Sequence, residues 1–160
     1  MHLSDQPLKI CCVKTSTPAR QYLTNLGKIS ILVHIAGFLF GVLPFLIYNV
    51  NIDIPGFFGF IIIPTVIILG LGTMSGVLII DSINMCTLQS RLCISATFAI
   101  ISAVFHFIFA FVESIVFWTA GLSGAIDIIA GLLLLKNILC AIFESLTASA
   151  AISAQSHMIN

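Results

Sequence analysis

The sequence predicts an all-α integral membrane protein, a four-helix bundle with both termini in the cytosol. Three observations predict it. Hydrophobic residues make up 59% of the 160 residues and charged residues only 8%, against roughly 25% in an ordinary soluble domain. Six basic and six acidic residues are too few to cover the surface of a soluble domain of this size. Long charge-free windows follow one another along the chain, and the lysines and arginines are unevenly placed between them.

The first 26 residues are polar, with Pro7 and Pro18, and are expected to form a flexible cytosolic tail. A cleaved signal peptide is not expected, because the apolar run after Lys28 is too long and no short basic region precedes it. Charge-free windows lie between Lys28 and Asp53, between Asp53 and Asp81, and between Arg91 and Glu113. Each spans at least about 20 residues, the length that crosses a ~30 Å hydrocarbon layer as a helix. A fourth run, carrying isolated charges, extends from near Trp118 to about Phe143. Lone strands would leave backbone groups unpaired in lipid, so helices are expected near 27–48, 55–80, 92–113 and 119–145. Together they make a transmembrane domain over 27–147, with a short cytosolic tail at 148–160. Pro55 is placed to begin a helix, and Pro44 and Pro64 are expected to kink theirs. Tyr48 and Trp118 fall at predicted ends, where amphipathic rings prefer the interface. Lys9, Lys14, Arg20 and Lys28 precede the first helix, and Arg91 lies in the second connection. The first and third connections have no Lys or Arg. The positive-inside rule therefore places both termini and the 81–91 connection in the cytosol.

Helices in lipid meet through small residues. Gly37 and Gly41 on helix one and Gly72 and Gly76 on helix two stand at similar predicted depth, so these pairs are expected to meet. Ala99, Ser102, Ala103, His106, Ala110 and Glu113 share one face of helix three, and Ala120, Ser123, Gly124, Asp127, Ala130 and Gly131 one face of helix four. A tight hairpin centred near residue 116 would bring His106 beside Asp127. Such an intramembrane pair serves either to bind helices together or to form part of an ion or proton path. Lys136 is expected to snorkel toward cytosolic headgroups. Glu144 is expected at the inner interface, where Arg91 is available.

All five cysteines fall on or near the predicted reducing side, so no structural disulfide is expected. Cys86 and Cys93 are juxtamembrane and are either palmitoylation sites or inert thiols. His34 reads as a packed or hydrogen-bonded residue. No pair of histidines or carboxylates stands at i, i+4, so neither a metal nor a cofactor is expected.

Two stretches resemble a family. Leu26, Gly27, Ile29, Ile31 and Gly41 match the opening of helix one in the membrane-spanning four-domains subfamily A, the B-lymphocyte-antigen-like tetraspans. Ser30 stands where that family usually has glutamine. Ser75, Gly76, Leu78 and Asp81 resemble its second-helix segment. The third connection is shorter than in many members and lacks their cysteines, which argues against a large extracellular recognition surface. The resemblance implies a non-enzymatic membrane protein that forms oligomers, associates with receptors or channels, and modulates signalling or calcium entry.

Three function classes follow. The first is a tetraspan of the plasma membrane or an endomembrane, acting by lateral association with other membrane proteins or with copies of itself. The TSTP segment (15–18) is its candidate phosphorylation site. The second is a small ion channel or proton-coupled transporter using His106 and Asp127. The third, an enzyme, lacks a nucleophile elbow, metal-ligand spacing or paired catalytic carboxylates. Zero net charge leaves no basic footprint for nucleic acid.

Overall fold

The computed structural model describes residues 2–3, 6–10, 13–43, 47, 63–83, 88–119, 125–156 and 158–159. Within those stretches the side chains of residues 2, 3, 9, 13, 88, 116–119, 125–127, 129, 158 and 159 and the surroundings of Gly41 are not described. The helices are α1 (Ala19–Gly37), α2 (Ile63–Ser82), α3 (Leu88–Thr119) and α4 (Ala125–Gln155). Among the described residues these are four helices long and apolar enough to cross a membrane. Each packs on its neighbour in sequence, and α4 closes the ring against α1.

The first, third and fourth helices run beyond their expected bounds, for physical reasons visible in the side chains. α1 begins at Ala19, directly after Pro18. Ala19, Leu23, Leu26 and Gly27 are buried while Arg20, Gln21, Asn25 and Lys28 point outward. Charges on the outer face of this amphipathic turn do not end the helix, which a count of charge-free residues misses. α4 runs on past Glu144 because Thr147, Ala148, Ala150, Ala151 and Ala154 continue its buried stripe. α3 likewise continues through Glu113 to Thr119, and α4 begins at Ala125, so the chain is still helical near 116. The stretch from 48 to 62, including Tyr48 and Pro55, lies outside the described residues, as does Pro44. The described course of α2 opens at Ile63, with Pro64 next.

After Gly37 the first helix widens into a π-helical turn, Phe38–Val42. Such turns are rare and recur near functional sites.

The N-terminal segment is not a free tail. β2 (Pro7–Ile10) pairs antiparallel with β3 (Val13–Pro18), and β1 (His2–Leu3) pairs with β4 (Met158–Ile159). Leu8 and Ile10 insert into a cluster with Leu23, Leu26, Ile79, Leu92 and Ala151. The hairpin therefore caps the bundle end where α1 and α3 begin and α2 and α4 finish. Thr15 of the TSTP segment is used inside it. Its Oγ1 accepts from the Leu8 N–H at 3.0 Å and donates to the Thr17 carbonyl at 3.0 Å.

Candidate functional site

Most buried polar groups of the bundle gather where the four helices face one another. On α1, Ser30 and His34 stand one turn apart and are fully buried. On α2, Ser75 is buried between Gly72 and Gly76. α3 contributes His106, and α4 contributes Lys136, Asn137, Cys140 and Glu144. Asn137, Cys140 and Glu144 recur at three- and four-residue spacing, which puts them on one face of α4.

Glu144 is the hub. Ser30 Oγ donates to its Oε1 at 3.1 Å, and Ser75 Oγ donates to its Oε2 at 3.0 Å. His34 Nε2 lies 3.1 Å from Oε1. That contact is close enough for an ion pair but lacks hydrogen-bond alignment, since Nε2 has no hydrogen-bond partner. Glu144 thus joins three helices at the centre. It is fully buried among them, and the expected partner Arg91 is committed elsewhere, in an ion pair with Asp81 on α2.

His106 Nδ1 is 2.8 Å from Asn137 Oδ1, and Asn137 Nδ2 donates to Glu113 Oε2 at 2.7 Å. The expected partner, Asp127, is ten residues before Asn137 on the same helix, about 15 Å along the axis at 1.5 Å per residue. The side chain of Asp127 lies outside the described residues. The shift has a simple cause. The helix ends Thr119 and Ala125 put the midpoint of the hairpin about five residues later than 116, which moves the residue level with His106 by about twice that, from 127 to 137. A double-mutant cycle checks this register. His106→Ala with Asn137→Ala should couple by about 0.6 to 1.7 kcal/mol, as polar pairs between membrane helices do, and His106→Ala with Asp127→Ala should add. Coupling to Asp127 instead of Asn137 would refute the pairing.

Lys136 is 5% exposed, so it does not snorkel. Its stem lies against Gly37, where an added Cβ would come 3.0 Å from Lys136 Cγ. Its Nζ is buried without a hydrogen-bond partner. Beside it, a groove of about 170 Å³ opens between α1 and α4, lined by Val33, Phe40, Leu132, Leu135, Lys136 and Cys140 among others.

The glycine motifs divide their work. Gly76 meets α1 as expected, but its counterpart is Gly27. Gly37 faces Lys136 and Cys140 of α4 and Leu69 of α2. Gly72 makes room for the His34 imidazole, which a Cβ there would overlap. Cys93 is an exposed free thiol and Cys140 a buried one; Cys86 and Trp118's side chain lie outside the described residues.

His106, Lys136 and Glu144 are the polar groups expected from the sequence, with partners other than the expected ones, and Ser30, Ser75, Asn137 and Cys140 join them as site residues that were not expected. The recurring spacing of Asn137, Cys140, Glu144 and Thr147 was the available signal. Comparison with protein-family models, with curated proteins and with solved structures finds no match to this chain.

Proposed function

We propose that this chain is a four-pass, non-enzymatic membrane protein that acts by lateral association with other membrane proteins or with copies of itself. The observation that carries the reading is the segregation of its surfaces. Ser30, His34, Ser75, His106, Asn137 and Glu144 are fully buried, while the outer faces carry Leu32, Ile67, Phe107, Phe111, Leu135 and Ile142, all exposed. In a bilayer such faces offer lipid and neighbouring helices only van der Waals packing. The interior polar network then keeps the four helices in one register while the outside makes contacts. The orientation with both termini in the cytosol is supported by Lys14, Arg20, Lys28 and Arg91, which all lie toward the hairpin end of the bundle. The resemblance of helices one and two to the four-domains subfamily A points the same way.

A second reading is favoured by one observation. Glu113, Asn137, His106, His34 and Glu144 form a line of polar groups through the interior, with hydrogen bonds at 2.7 and 2.8 Å, ring centroids 5.9 Å apart and a 3.1 Å contact. Such a line suits proton movement. The purified protein in liposomes separates the readings. The expected result is proton and cation flux no greater than in empty vesicles, with single-molecule photobleaching showing assemblies larger than one chain. Flux that is carried by the pure protein and lost in His106→Ala would replace the first reading with the second.

A further inference from the structure

We propose that His34, His106 and Cys140 form a binding site for a divalent late first-row transition metal, with zinc as the best-matched ion. Each of the three residues offers one ligand atom, and these atoms lie within 4.8 Å of one another in a fully buried cluster. Tetrahedral zinc with Zn–N near 2.0–2.1 Å and Zn–S near 2.3 Å places its donors about 3.3–3.6 Å apart. The three side chains therefore need to close by about 1.5 Å at most.

The hydrogen bonds decide which imidazole nitrogens are available. His34 Nδ1 is 2.7 Å from the Ser30 carbonyl oxygen, which can only accept, so Nδ1 carries the hydrogen. The Asn137 amide is oriented by its donation to Glu113, so Oδ1 faces His106 and Nδ1 of His106 also donates. Both rings are thereby held in the tautomer that leaves Nε2 with a lone pair. Both Nε2 atoms are buried and have no hydrogen-bond partner. A ligating histidine fixed by an Nδ1–H bond to a carbonyl oxygen is the arrangement that metal sites use.

Glu144 adds an independent argument. With Nδ1–H donated to Ser30, His34 Nε2 presents a lone pair 3.1 Å from Glu144 Oε1, which also accepts. Two acceptors at that distance need a cation or a proton between or beside them. A metal ion on Nε2 supplies the cation, and the Glu144 carboxylate beside His34 is a neighbouring acceptor facing it. Two imidazoles and one thiolate are ligand types that zinc accepts, with a fourth position left for water. Metal binding displaces the Cys140 thiol proton, leaving sulfur bound as thiolate. Lys136, four residues before Cys140, opposes an added cation, and the charges of the Cys140 thiolate and Glu144 offset it. This site is independent of how the protein acts on its neighbours.

Cobalt titration of the purified chain in detergent tests the assignment, because cobalt occupies zinc sites and a bound thiolate gives a sulfur-to-cobalt charge-transfer band. The expected result is such a band saturating at one ion per chain, bleached by added zinc, absent in Cys140→Ser and retained in Cys93→Ser. His106→Gln should weaken cobalt binding by at least about tenfold, the lower range seen on disturbing such sites. No band in the wild-type protein, or a band that survives Cys140→Ser, overturns the proposal. The Cys93→Ser control separates it from exposed-thiol binding, and the wild-type titration stands even if a variant fails to fold.

Discussion

Gly76→Ile is expected to break the α1–α2 packing, and Gly70→Ile, on the same helix, to leave stability within about 0.5 kcal/mol of the parent. The contrast comes from what a new side chain meets. A Cβ on Gly76 would lie 2.8 Å from the Gly27 carbonyl oxygen, and a Cβ on Gly27 would lie 2.8 Å from the Gly76 carbonyl oxygen. Both obstacles are backbone, so no rotamer change relieves the overlap and the two helices must separate. Overpacking typically costs about 1–3 kcal/mol and occasionally more; a rigid backbone obstacle puts Gly76→Ile at about 3 kcal/mol or above. A Cβ on Gly70 meets nothing within 4 Å. Thermal unfolding in detergent, followed by gel filtration, reads the difference. Equal melting of Gly76→Ile and the parent would show that α1 and α2 do not approach there.

The same contact shows how much of the fold was legible in the sequence. Three of the four apolar helices could be read from windows that lack charge, and the fourth from an apolar run with isolated charges, because the bilayer dimension sets their minimum length. The small residues on α2 were equally readable, since close approach demands them. Their partners were not, because depth was counted from where charges stop. Arg20 and Lys28 lie on the outer face of a helix that had already begun at Ala19, so the count on α1 started too late and selected Gly37 where the structure uses Gly27.

The polar core was lost for a related reason. A charged residue in an apolar run looks like the end of a span, and Glu113 and Glu144 were read that way. Both are satisfied inside the bundle by side chains from elsewhere: Asn137 for Glu113, Ser30 and Ser75 for Glu144. Only Asn137 lies near its carboxylate in the hairpin sequence; the serines are 114 and 69 residues away from Glu144. Local spacing cannot report partners so distant. It does report the face, and Asn137, Cys140, Glu144 and Thr147 marked it. Ser30, on α1, meets this face by its hydrogen bond to Glu144.

Glu144→Ala is expected to destabilise the bundle by about 3–5 kcal/mol, from buried groups left without a partner at about 1–3 kcal/mol each and the cavity that opens, and Glu144→Gln by about 1 kcal/mol or less. Alanine removes both carboxylate oxygens at once, so Ser30 and His34 lose the group they face and a cavity opens among three helices. Ser75 suffers least, because its Oγ already reaches the Gly72 carbonyl at 2.8 Å and can keep that bond. Glutamine keeps one oxygen to accept from Ser30 and brings an amide N–H toward His34 Nε2, the lone pair that Glu144 leaves unpaired. A neutral donor there removes the acceptor–acceptor contact, so the smaller cost follows from geometry as well as size. Combining Glu144→Ala with Ser30→Ala should cost less than the two singles together, since the second change removes a hydroxyl the first has orphaned. Reversible unfolding in bicelles gives all four numbers. If Glu144→Gln proved as damaging as Glu144→Ala, the stabilising element would be the carboxylate charge itself and not the hydrogen-bond acceptors it presents. The cationic partner would then have to be His34 or Lys136, and the three helices would be held by charge where the structure shows serine hydroxyls.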